Sequence, residues 1–300
     1  MNFFNKLVSA SLPFVPRPIV ATFARPYIAG ETLDEAVKTV QSLNAQGAMA
    51  TVDVLGEDIT QKSEATSAAA QVRAVLAAIK ANALNSNISI KLTQLGLNLD
   101  LGFCKENVAG IIDAARAQDN FVRVDMENHT CTDRTLEVYR FARERYEKVG
   151  IVIQAYLHRS EDDIRRLASE HASVRLCKGI YNEPAAIAIK DRRGIQQNYI
   201  RLLKILMESG CSVGIATHDD VLIDAAKQVI EDLTIAKDKY EFQMLLGVRP
   251  EKRAALIAEG HRLRVYTPFG KDWYGYSVRR LKENPEMAGH VLKAVFGIGK

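Results

Sequence analysis

Phe121-Val-Arg-Val-Asp-Met126, a helical stretch over Asp133–Lys148, and Ile151-Val-Ile-Gln-Ala-Tyr156 form one strand–helix–strand unit. The reading of this unit decides the fold. In both short runs alternate residues separate by chemistry, as strand side chains must. Val122, Val124 and Met126 oppose Arg123 and Asp125; Ile151, Ile153 and Ala155 oppose Val152, Gln154 and Tyr156. A helix between two such runs implies parallel pairing. The unit repeats outward in both directions. Further strands are expected at Ala48–Leu55, Ile88–Thr93, Val174–Lys178, Ser212–Thr217, Glu241–Leu245 and Arg262–Tyr266. Helices are expected over Ser63–Ala83, Lys105–Ala117, Glu161–Ser169, a stretch ending at Ser209, Asp219–Glu231, Pro250–Glu259 and Trp273–Glu283. Before the first strand, Thr32 and Glu35 have the spacing of a capping box that opens a helix to about Gln46. Eight strand-then-helix units predict an α/β fold, a (β/α)8 TIM-type barrel with extra N-terminal helices. A doubly wound open sheet is the alternative. It would carry a G-x-G-x-x-G turn, and neither that motif nor a P-loop occurs.

The bulk composition agrees with one large enzyme-sized unit. Apolar residues make up 47% of the 300, charged residues 25%, and the net charge is +4. The basic residues are scattered among Asp and Glu, which argues against nucleic-acid binding. Cys104, Cys131, Cys177 and Cys211 show no C-x-x-C spacing, so a zinc site is not expected and a reducing, cytoplasmic setting is. His129, His158, His171, His261 and His290 have no ligand spacing either, and no metal is predicted. Residues 1–30 read as an N-terminal arm and residues 31–300 as a single barrel domain. The arm is apolar and proline-punctuated, without a convincing signal peptide. It suits packing at a barrel end, or contact with a membrane surface.

The polar faces of the strands are unusual, because barrel interiors are mostly filled by branched apolar side chains. Ser89, Lys91 and Thr93, Arg123 and Asp125, Arg175 and Cys177, Glu241, Gln243 and Leu245, and Arg264 and Tyr266 are all expected to face inward. Buried charges need partners, so the set is either a structural ion-pair network or a site. On the last helix Tyr276, Arg279, Arg280 and Glu283 share a face, and two adjacent guanidinium groups suit a carboxylate or phosphate. Trp273, Tyr274 and Tyr276 supply apolar walls.

These residues resemble the proline dehydrogenase family in its short monofunctional bacterial form. The likeness rests on Leu55-Gly56-Glu57, SIKLTQLGL at 89–97, VRVDME at 122–127, QAYLHR at 154–159, VRLCKGIYNE at 174–183, ATHD at 216–219, EFQMLLG at 241–247, RVYTPFGKDWY at 264–274 and YSVRRLKE at 276–283. It implies a flavin enzyme that binds FAD without a Rossmann fold and oxidises L-proline to Δ1-pyrroline-5-carboxylate. Hydride would pass from proline C5 to flavin N5, and electrons would go on to a membrane quinone. A separate pyrroline-5-carboxylate dehydrogenase would be a partner, and a peripheral position at the inner face of the cytoplasmic membrane would follow. By the same likeness Arg175 lies beside the flavin, and Gln154, Cys177, Lys178, Gly179, Tyr181, Thr217, His218, Gln243 and Met244 line it. Lys91, Arg279 and Arg280 hold the substrate carboxylate, Tyr266, Tyr276 and Leu245 wall the ring, Asp125 orients the polar contacts, and Glu57 is a gate that pairs with Arg279. Cys177 stands where the family is usually aliphatic, and it is expected to make the site more sensitive to oxidation. A flavin barrel for another ligand such as a folate, and a non-catalytic sensor, are the competing readings.

Overall fold

The computed structural model describes residues 25–56 and 59–277. Eight parallel strands close on themselves in chain order, β1 through β8, with β8 hydrogen-bonded back to β1. The strands are β1 Met49–Val54, β2 Ser86–Ile90, β3 Val122–Val124, β4 Val149–Gln154, β5 Ser173–Cys177, β6 Ser212–Ala216, β7 Tyr240–Leu245 and β8 Leu263–Phe269. The helices are α1 Leu33–Ala45, α2 Lys62–Ala81, α3 Leu101–Ala117, α4 Thr132–Arg145, α5 Ser160–Ser169, α6 Arg192–Glu208, α7 Asp220–Asp232 and α8 Pro250–Ala258. The expected (β/α)8 barrel is therefore the observed architecture.

Local chemistry sets the element ends. Thr32 and Glu35 form the reciprocal capping box that starts α1. Asp100 caps α3 by accepting from the Phe103 amide, so this helix begins a turn earlier than the apolar spacing indicates. β8 does not end at Tyr266 as expected, and Pro268 lies within it. β8 continues to Phe269, and the Pro268 carbonyl accepts from the Ala29 amide.

Ile88, Ile90, Val122, Val124, Ile151, Ile153, Val174, Leu176, Phe242, Met244, Leu263 and Val265 are all buried between the strands and the helix ring. The complementary residues point into the lumen. Arg123, Asp125, Arg175, Gln243 and Arg264 are all buried there.

The place of α1 determines where the site lies. This helix packs on β1 and β8 through a buried face of Ala36, Val40 and Leu43. In a barrel of this class a helix following β8 would close that groove. With the groove taken, residues 273–277, which are helical, come instead to the C-terminal end of β1. There Tyr276 packs with Leu55 and Tyr27. The Trp273 indole donates to the Glu31 carboxylate at 2.7 Å, tying this turn to the segment ahead of α1.

Candidate active site

The lumen near the C-terminal strand ends holds a network centred on Asp125. One carboxylate oxygen accepts from Arg175 Nη1 at 2.8 Å and from Ser89 Oγ at 2.7 Å. The other accepts from Tyr266 OH at 2.8 Å and lies 3.5 Å from Lys91 Nζ. Lys91 in turn donates to both oxygens of Asp53 at 2.7 Å and to Tyr266 OH at 3.0 Å. Arg175 Nε donates to Gln243 Oε1, whose amide nitrogen donates to Glu241 at 2.6 Å. Glu241 accepts from Arg264 Nε at 2.6 Å. One connected chain thus joins six strands across the barrel, β1, β2, β3 (through Asp125 at its end), β5, β7 and β8.

The electrostatics follow from burial set against neighbouring charge. Burial works to raise the Asp125 carboxyl, but Lys91 and Arg175 outweigh it and hold the group below its ordinary value. Asp53 is raised, because burial there outweighs Lys91 and the nearby Asp125 adds to it. Burial, Asp125 and Asp53 push the Tyr266 phenol well above its usual value. Lys91 is raised well above an ordinary lysine, its carboxylate partners overcoming burial. Asp125 is therefore an anion, Lys91 a cation and Tyr266 a neutral phenol at neutral pH.

A second group stands at the ends of β4, β5 and β6. Gln154 is buried, and its Oε1 accepts no hydrogen bond from the described residues. Gly179 has φ +108, and its lack of a side chain makes room for the Tyr156 ring. Lys178 and Arg192 meet Asp219 at 3.3 and 3.2 Å, and Asp219 caps α7. Thr217 is buried, and its hydroxyl accepts from the Asp219 amide. His218 Nε2 accepts from the Leu245 amide at 2.9 Å, so that nitrogen carries no proton. Tyr181 lies half-buried in the loop after β5.

Several expectations change. The Met244 side chain lies in the core beneath the helices, turned away from the lumen-facing Gln243. The Cys177 thiol donates to the Ile153 carbonyl at 3.7 Å, and burial pushes it up to about 11. It is a protonated thiol in this range, poorly suited to oxidation. All three Lys91 protons are engaged, so to hold a carboxylate it would have to give up one of its present partners. Glu57, Arg279 and Arg280 lie outside the described residues. Asp53 and Glu127 were not singled out in the sequence. The same alternation marks Asp53, since Thr51 and Asp53 are the polar positions of MATVDV. Glu127 accepts from the Thr93 amide and hydroxyl and joins the loops after β2 and β3.

Residues 36–293 match the family model described as proline dehydrogenase. The chain belongs to the proline dehydrogenase family. Proline dehydrogenase 1 of Bacillus subtilis (strain 168) is 41% identical over 272 residues, which are 91% of this chain and 90% of that protein. Proline dehydrogenase of Deinococcus radiodurans is 37% identical, covering 95% of this chain and 96% of that one. Proline utilization A from Bdellovibrio bacteriovorus, whose crystal structure was solved after inactivation by N-propargylglycine, superposes with a TM-score of 0.82 at 26% identity. It shares 88% of this chain but only 33% of its own length, so the barrel alone is common to both. Membership makes this chain a flavin-family oxidoreductase of proline catabolism. No helix among the described residues is long and apolar enough to cross a membrane.

Proposed function

We propose that the barrel holds FAD across the C-terminal ends of β4 to β7 and oxidises L-proline to Δ1-pyrroline-5-carboxylate beside the Asp125–Arg175–Tyr266 cluster. The observation that carries this reading is the buried Gln154 Oε1, which has no donor. An acceptor left so at the edge of the lumen awaits an N–H such as a flavin ring presents. Lys178 and Arg192, at the rim of the same strand ends, suit a diphosphate. Bound FAD would supply the two-electron acceptor for the C5–H bond.

The chain's own residues do the positioning. Arg175 is held by Asp125 and Gln243, so its guanidinium is fixed before any ligand arrives. Tyr266 is pinned between Asp125 and Lys91 and presents its ring as a wall. Arg279 and Arg280 are assigned the carboxylate, Leu245 and Tyr276 the apolar sides of the ring, and Glu57 the gate. The electrons taken up by bound FAD would be handed on to a membrane quinone, with the protein at a peripheral surface. A separate dehydrogenase for the product's hydrolysed aldehyde form is the matching partner. The decisive experiment is to purify the protein and add proline without oxygen. A yellow protein with one FAD per chain that bleaches is expected; colourless protein that takes up no FAD on reconstitution would end the proposal.

The substrate amine must lose its proton, and each candidate base of the cluster is already engaged. Asp125 is shifted downward and accepts from Arg175, Ser89 and Tyr266; Asp53 is shifted upward, but Lys91 occupies both of its oxygens; Lys91 and Tyr266 are shifted upward; and His218 Nε2 accepts from the Leu245 amide. The expected profile of kcat/KM from about pH 6 to 9 is therefore a rise of about tenfold per unit, set by the fraction of free amine. A plateau with a break near neutrality would mean that a protein group takes the proton.

Tyr266 also sets the choice of ring. Its wall should crowd a hydroxyl on the carbon far from the carboxylate, and such a wall discriminates by about 10²-fold. Proline is expected to exceed trans-4-hydroxyproline in kcat/KM. Tyr266→Ser should shrink the ratio, while Tyr266→Phe, which keeps the ring but breaks the bond to Asp125, should preserve it. A ratio indifferent to Tyr266→Ser would remove Tyr266 from the substrate wall.

A further inference from the structure

The opposite mouth of the barrel is not closed. A cavity of about 490 Å³ opens between the N-terminal strand ends, lined by Asn87, Arg123, Ser173, Gly214, Glu241 and Arg264 among others. This end too is polar where branched side chains would be usual. Gly150 stands opposite Arg123 in the β3–β4 register, and any side chain there would collide with the guanidinium. Gly214 in β6 likewise leaves space beside Gln243. The opening is thus built into the strands.

Its charge is unbalanced. Arg123, Arg143, Lys148, Lys239, Arg262 and Arg264 line it, against the carboxylates Glu147, Asp238 and Glu241. Glu241 is already taken by Arg264 at 2.6 Å and lies 3.8 Å from Arg262. Arg123 is the exceptional member. It is 5% exposed and, among the described residues, has no carboxylate partner within ion-pair distance. Nη1 donates to the carbonyls of Ile151 and Ser173, and Nη2 to Ser173 Oγ. Its flat face lies 4.7 Å from the Phe121 ring centroid, and Nε has no partner at all. A buried guanidinium answered by carbonyls, a hydroxyl and a ring, with no carboxylate in contact, is costly; burial, with Arg175 and Arg264 nearby, outweighs the more distant Glu241 and Asp125 and lowers this one to about 9. An anion in the cavity would relieve that cost, and exposed Lys239 and Arg262 at the rim would meet it.

We propose that this cavity binds a small oxyanion of the phosphate class, held by Arg123 from the inner wall and by Lys239 and Arg262 at the rim. The site lies at the barrel end away from the flavin-binding reading and does not depend on it. The test uses the full chain saturated with FAD, so that no cofactor phosphate position is open to the probe. Inorganic phosphate should raise Tm by about 2–4 °C over sodium chloride at equal ionic strength, and titration calorimetry should show one site. Glycerol 3-phosphate, run in parallel, separates a site for the free ion from one for a phosphate ester; a response to either supports the proposal. Lys239→Ala/Arg262→Ala, a pair of exposed replacements that leaves the core alone, should weaken binding at least tenfold. Arg123→Met should abolish it where the variant folds. No shift beyond that of chloride with either probe, or a shift that the rim pair leaves at full size, would overturn the proposal.

Discussion

Asp125→Ala is expected to lower the unfolding free energy by about 3–5 kcal/mol, the cost of leaving buried charges without their partner. The carboxylate answers Arg175, Lys91, Ser89 and Tyr266 together, so its removal leaves the Arg175 cation without a carboxylate and takes one partner each from Ser89, Tyr266 and Lys91, the last of which keeps Asp53. The loss has a pH signature. Asp125 is shifted below its unfolded value, so its contribution is fully present above the unfolded carboxylate pKa of about 4 and fades as pH falls through the lowered folded value. Wild type and variant should therefore differ most at neutral pH and converge in strong acid. Denaturant titrations at pH 7 and in the acid range measure both numbers; a difference below about 1 kcal/mol at pH 7 would show that the network contributes little to stability.

Arg279→Met and Arg280→Met should each raise the KM for proline by about 30- to 1,000-fold while FAD stays bound, since losing a charged contact to a carboxylate costs about 2–4 kcal/mol. Both residues lie outside the described part of the chain, and their helical spacing from Tyr276 carries the prediction. Tyr276 packs at the C-terminal end of β1 against Leu55 and Tyr27, on the side of the barrel where Lys91 and Tyr266 stand. Steady-state kinetics with a flavin absorbance check decide it. An unchanged KM in either variant removes that arginine from the clamp.

Much of this arrangement was legible beforehand because a strand has a period of two. Once Arg123 and Asp125 are assigned to one face, Lys91, Arg175, Gln243 and Tyr266 fall into the same lumen by the same rule, and the structure places them there. The rule reaches further than its first application: applied to β1 it also puts Asp53 inside, as the partner of Lys91. Partner choice was not legible. That Lys91 gives its protons to Asp53 and Tyr266 depends on three strands brought together by closure, which no local pattern contains. Boundaries moved where the Asp100 cap starts α3 a turn early and where pairing with β1 carries β8 past Tyr266 to Phe269. Met244 stands among the flavin-lining residues by the family likeness, while its own parity places the side chain under the helices.

The groove between β8 and β1 is sealed by α1, a helix from the beginning of the chain, and the contact between Arg264 and Met49 that crosses this seam spans 215 residues. Closure is therefore among the most non-local events the polypeptide can make, and loop entropy has to be met before it brings any reward. During synthesis β1 would keep one side unpaired until β8 emerges, an open edge able to recruit another nascent chain. Refolding from denaturant should accordingly be slow, and its yield should fall as protein concentration rises.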